Sequence, residues 1–124
     1  MRDFDFGYTD RPEQTRTGAS FMSESQMELR GTVAAVAERF SSYESVDDLM
    51  QEDPLDIEYT VNQFGDVVGV ELTITTGGPG IYVELPKGVV KGYWAGDSAS
   101  ASIGNPRGQN WMFEFYAQNA PMNL

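Results

Sequence analysis

The chain contains no cysteine and no histidine. Without cysteine it can build no disulfide framework, no thiolate metal site and no nucleophilic thiol. Without histidine it lacks the side chain that most often acts as general base or metal ligand near neutral pH. Lysine occurs only at Lys87 and Lys91. Long apolar runs are missing too, and no charged segment leads into a hydrophobic one, so neither a transmembrane span nor a signal peptide is expected. These absences point to a cytoplasmic protein. They also point to binding rather than catalysis, with no cofactor and no metal.

What remains is a length of 124 residues, 40% hydrophobic and 12% aromatic, enough for one core and no second domain. The net charge is −11 and is unevenly placed. Residues 1–39 hold five arginines against seven acids, and residues 87–124 hold three bases against two acids. Between Phe40 and Pro86 there is no base, yet Glu44, Asp47, Asp48, Glu52, Asp53, Asp56, Glu58, Asp66, Glu71 and Glu84 all occur there. A field of that sign attracts a basic surface and repels nucleic acid and anionic membrane. The bland alternative is that the acids only solubilise a small module, or a halophilic subunit of a larger assembly.

The pattern of apolar residues gives the architecture. Residues 1–22 read as a loose arm or edge strand, and 23–124 as a single domain. Ser23 with Gln26 three residues on resembles a capping box, with Met22 and Met27 as a staple. Met27, Val33, Val36, Ala37 and Phe40 then recur at helical spacing, predicting a helix over 24–40. Ser45 caps a predicted short helix over 46–52 with Val46, Leu49 and Met50 inward. After Pro54 the period changes to two: Leu55, Ile57, Tyr59 and Val61 alternate with polar residues, as do Val68, Val70, Leu72 and Ile74. Gly65 marks the turn between them. The Gly77-Gly78-Pro79-Gly80 turn leads to a strand from Ile81 to Leu85, Lys87-Gly88 to another over 89–95, and Gly96-Asp97 to a last one over 99–103. Gly104 to Gly108 reads as a loop. Trp111, Phe113 and Phe115 alternate with Met112, Glu114 and Tyr116, which favours a sixth strand. The expected fold is α+β: an antiparallel meander sheet of four to six strands packed with one long and one short N-terminal helix.

Several chemistries can be weighed. Asp47, Asp48, Glu52 and Asp53 could gather oxygen ligands, but their spacing is not that of a calcium loop. The Thr76 to Gly80 segment is glycine-rich but lacks the lysine and following helix of a phosphate loop, so a hairpin turn explains it. Acids alternating with apolar residues in strands point to water, the wrong setting for a catalytic acid of raised pKa. The rings of Tyr93, Trp94, Trp111, Phe113, Phe115 and Tyr116 could stack on bases, but the charge has the wrong sign for direct nucleic-acid binding. Trp94, Trp111 and Tyr116 are candidate aromatic anchors at a protein interface.

The strand Leu55 to Asn62, the Thr76-Gly77-Gly78-Pro79 turn, the Ile81-Tyr82-Val83-Glu84 strand and the Gly92-Tyr93-Trp94-Ala95-Gly96-Asp97 segment together resemble a stretch of small acidic proteins carried by phages and other mobile elements, anti-CRISPR inhibitors among them. The resemblance covers residues 53–103. It implies an inhibitor that mimics DNA and covers the basic nucleic-acid channel of a defence complex such as a CRISPR effector, and it carries over no catalytic residue. The expected partner-binding residues are Glu44, Asp47, Asp48, Glu52, Asp53, Asp56, Glu58, Asp66 and Glu71.

Overall fold

The computed structural model describes residues 23–121. The expected arm over 1–22 and the Met22 staple lie outside the described residues. Two N-terminal helices, α1 (Glu24–Ser41) and α2 (Val46–Leu49), precede five strands: β1 (Asp56–Val61), β2 (Val67–Thr75), β3 (Gly80–Leu85), β4 (Val89–Trp94) and β5 (Asp97–Ser102). A third helix, α3 (Pro106–Gln118), follows them. All strand pairs are antiparallel and the order in the sheet is β1-β2-β3-β4-β5, so each strand neighbours the next one in sequence.

Ser23 begins α1 by accepting from the Gln26 N–H at 3.1 Å. Leu29, Val33, Val36, Ala37 and Phe40 form its buried stripe, while Met27, expected inside, is 56% exposed. Met27 lies more than a quarter-turn from that stripe, and Leu29 takes the position over the sheet. Ser45 caps α2 as expected, but the helix is a single turn. Leu49 alone of its apolar residues is buried, and Val46 and Met50 are exposed. Positions 46, 49 and 50 would share one face of a longer helix, but α2 ends at Leu49 with Met50 as its C-cap, and only Leu49 reaches the core.

Strand pairing sets the core. Ile57, Leu72, Val83, Val90 and Ala101 stand opposite one another in a row that crosses all five strands. Leu72, Val83 and Val90 in that row are fully buried. The helices cover this face: α1 lies on β4 and β5, and α3 on β2 and β3. Gly92 of β4 lets α1 settle closely, since a Cβ there would lie 2.5 Å from Val33 Cγ2 and 2.9 Å from Leu29 Cδ1. Leu55 and Val61, expected inward, are exposed at the ends of the edge strand. A register shift at Thr60/Val61 leaves Val68 without a cross-strand partner, and it too is exposed.

The C-terminal aromatic segment is a helix and not a sixth strand. Asn105 caps it, accepting from the Gly108 N–H at 3.0 Å, and Pro106 occupies the first turn, where its missing N–H is not needed. Met112 and Tyr116, four residues apart, are its most deeply buried large side chains, and Trp111, Phe113 and Phe115 pack around the same core. Rings on almost every side of the helix imitate a period of two. No helix among the described residues is long and apolar enough to cross a membrane.

Candidate protein-binding face

Among the described residues no helix packs on the second face of the sheet. On it stand the residues that alternate with the core: Asp56 and Glu58 on β1, Glu71 and Thr73 on β2, Tyr82 and Glu84 on β3, Lys91 and Tyr93 on β4, and Ser98, Ser100 and Ser102 on β5. The register places Glu58 opposite Glu71 and Glu71 opposite Glu84, so three glutamates occupy one row on three adjacent strands. Strands lie about 4.8 Å apart, and like charges directly opposite one another destabilise a sheet. Asp56 stands one row away on the same edge.

Lys91 is the counter-charge. Its Nζ lies 2.6 Å from Glu84 Oε2 and 3.4 Å from Glu71 Oε2. The hydrogen bond from Lys91 holds the Glu84 carboxyl below its ordinary pKa, and the same bond raises that of Lys91. Glu58 has no ion-pair partner among the described residues. Beside the row is a depression of about 320 Å³ whose lining includes Glu58, Thr60, Gly69, Glu71, Glu84 and Lys87. The side chains of Glu71 and Glu84 keep 32% and 25% of their surface in water, so these carboxylates are poised to pair with an incoming cation.

The remaining acids go elsewhere. Glu44, Asp47 and Asp48 belong to α2 and the link before it, on the helical side, and Asp48 Oδ2 accepts from the Glu44 N–H at 2.9 Å. Asp53 is exposed on the link into β1 and Asp66 in the β1–β2 turn. Glu52 is turned inward, its side chain 7% exposed and ion-paired with Arg39 at 2.6 Å. It also accepts the Tyr43 hydroxyl. Glu52 therefore braces α1 against the segment after α2 and is no contact for a partner. Asp56, Glu58, Glu71 and Glu84 thus form one group on the bare face, Glu44, Asp47 and Asp48 a second at α2, and Glu52, Asp53 and Asp66 belong to neither. Among the described residues no cluster of three or more carboxylates is gathered closely enough to hold a metal ion.

Of the candidate aromatic anchors, Tyr116 is buried at 6% exposure and Trp111 packs against the core. Trp94, 36% exposed, lies across the Gly77-Gly78 turn, where a Cβ on Gly78 would sit 1.7 Å from its ring. Tyr82 and Tyr93 stand on the bare face near this end of the sheet, with ring centroids 5.9 Å apart. Sequence reasoning missed Tyr82, Tyr93 and Lys91 as members of the face. The signal was available for Lys91: a hairpin turning at Lys87-Gly88 returns position 91 beside position 84.

Comparison of the chain with known protein families, with curated proteins and with solved structures gives no match.

Proposed function

We propose that the protein acts by binding, with the bare face of its sheet covering a basic surface of a nucleic-acid-binding protein. The observation that supports this is the row Glu58, Glu71 and Glu84, with Asp56 beside it. Like charges set opposite one another cost the sheet stability, and a single lysine offsets only part of that cost. A partner's arginines would relieve the repulsion, because carboxylate–guanidinium pairs are short, charge-assisted and often bidentate. Read with the resemblance to anti-CRISPR inhibitors, the partner is a defence complex such as a CRISPR effector, and the carboxylates take the places of DNA phosphates in its channel. Glu44, Asp47 and Asp48 then serve solubility and electrostatic steering. The reading needs no catalytic residue and no cofactor.

The test is capture from a bacterial lysate at low and high salt, read by mass spectrometry, with DNA as competitor. The native chain is expected to retain a nucleic-acid-binding protein that both salt and DNA release. A variant carrying Asp56→Lys, Glu58→Lys and Glu71→Lys is expected to lose it while keeping the native circular dichroism. Equal retention by that variant would end the proposal.

A further inference from the structure

The two edges of the sheet are built differently. β1 is guarded: it carries Asp56 and Glu58, and a register shift interrupts it at Thr60/Val61. β5, with the sequence Asp97-Ser-Ala-Ser-Ala-Ser102, pairs with β4 without any shift and has a charge only at its first residue. Charges, prolines and bulges are the usual devices that keep an edge from pairing with another chain, and β5 lacks all of them beyond Asp97. Among the described residues nothing pairs with its outer side.

The hydrogen-bonding groups on that side can be assigned. Ile103 donates to Gly88 O at 2.7 Å, so in this antiparallel ladder the residues in phase with it, Ala101 and Ala99, direct their backbone groups toward β4. Ser98, Ser100 and Ser102 therefore direct theirs outward.

The helix above fits the same occupant. Gly92, which pairs with Ala99, lies under Leu29 and Val33, and the Gly104 N–H donates to Ser41 Oγ at 2.8 Å. Thus α1 runs alongside β5 and Ala34 stands beside the strand's middle. Arg39 reaches inward to Glu52, which makes the opposite flank of α1, with Ala34 and Met27, the one above the open edge. Both residues are exposed.

We propose that β5 pairs antiparallel with β5 of a second copy of this chain about a two-fold axis through Ser100, giving a continuous ten-stranded sheet. The like faces of the two sheets then match. Ser98 of one copy faces Ser102 of the other through their outward backbone groups, and Ala99 faces Ala101 on the helical side. Because α1 sits over β4 and β5, strands about 4.8 Å apart put the two α1 helices about 10 Å from each other. That is within the ordinary helix-packing distance of about 8–10 Å, and Ala34 at the crossing leaves the helices room to close toward its lower end. An antiparallel crossing at Ala34 also brings Arg30 of one copy toward Glu38 of the other. Arg30 already has a partner within its own chain, and the five donors of a guanidinium leave room for a second. A basic peptide strand is the rival occupant, but β5 offers it three serines and no carboxylate beyond Asp97.

Light scattering on the full chain tests the pairing. The expected result is twice the chain mass at micromolar concentration, tightening as salt rises because each copy carries −11. Rising salt weakens the binding proposed for the bare face, so the two ideas fail separately. Ser100→Pro removes an N–H that β4 does not use, and Ala34→Arg places a charge at the axis; each is expected to give a single chain mass with native circular dichroism and a melting temperature that no longer depends on protein concentration. In a chain otherwise without cysteine, Ser100→Cys is expected to cross-link on oxidation. Ser102→Cys is not, since its two copies would lie about 13 Å apart, beyond a disulfide's reach. A single chain mass for the native protein at every salt concentration would overturn the proposal, as would cross-linking at Ser102 but not at Ser100.

Discussion

Arg39, near the end of α1, grips Glu52 with two donors, Nε to Oε2 at 2.6 Å and Nη2 to Oε1 at 3.0 Å. The Tyr43 hydroxyl adds a third bond to the same carboxylate. Removing the carboxylate leaves a phenol and a half-buried guanidinium without their partner. Glu52→Ala is expected to cost about 2–3 kcal/mol, and Tyr43→Phe about 1.5 kcal/mol, in urea unfolding. Asp47→Ala, on the exposed face of α2, is expected to change stability by less than about 0.5 kcal/mol.

Alkaline pH should unfold the protein through two tyrosines. Burial first, and then the bond to Glu52, raises the pKa of Tyr43 to about 12; burial chiefly does the same for Tyr116. In the unfolded chain each ionises near the ordinary value of 10.0. The folded state thus holds more protons between those limits, and stability falls as pH rises from about 10 to about 12. Tyrosinate absorbance is expected to show a late fraction that coincides with loss of the near-ultraviolet circular dichroism. Tyr43→Phe should make that fraction smaller.

Glycines at two contrasting positions should respond with opposite signs. Gly92→Ala drives a methyl group into Val33, Leu29 and Ile81, at 2.5, 2.9 and 3.0 Å, and is expected to destabilise by about 1–3 kcal/mol. Gly31 lies in the exposed part of α1, and a methyl group added there would meet nothing within 4 Å. Gly31→Ala is expected to stabilise by about 0.5–1 kcal/mol, measured by thermal melting.

The turn beneath Trp94 should tolerate little. Gly78 has φ 134° and its missing Cβ is the space occupied by the indole, whereas Gly77 has φ 89° and open surroundings. Gly77→Ala is expected to cost about 1 kcal/mol from backbone strain alone, and Gly78→Ala clearly more. Trp94 fluorescence should shift toward the solvent-exposed value in the second variant only.

Much of the fold was legible because its signals were local. Ser23 and Ser45 as caps, glycines at each turn, and the change of period after Pro54 specify α1 and a meander without any knowledge of tertiary contacts. The α3 helix was not legible from its rings, since Trp111, Phe113 and Phe115 all reach one core from different sides of the helix. Its signal was Asn105-Pro106, a cap followed by a first-turn proline, which also reads as a loop. Met27, Met50 and Leu55 are apolar at fitting positions, yet their burial depends on what lies across from them, and nothing among the described residues covers them. The acidic site was partly legible for a similar reason. Composition revealed a segment without bases, and the Lys87-Gly88 turn already brings Lys91 back beside Glu84, but only the fold adds Glu71 to that pair and draws Glu52 toward Arg39.

The seating of α1 on β4 and β5 has a consequence for synthesis. The helix leaves the ribosome early, whereas the strands that cover its apolar stripe come last in the sheet. Leu29, Val33 and Phe40 must therefore wait in water, or in the care of a chaperone, while the β1–β2 and β2–β3 hairpins assemble. A nascent chain halted before Val89 lacks the two strands on which α1 docks, so closure of the core waits for β4 and β5.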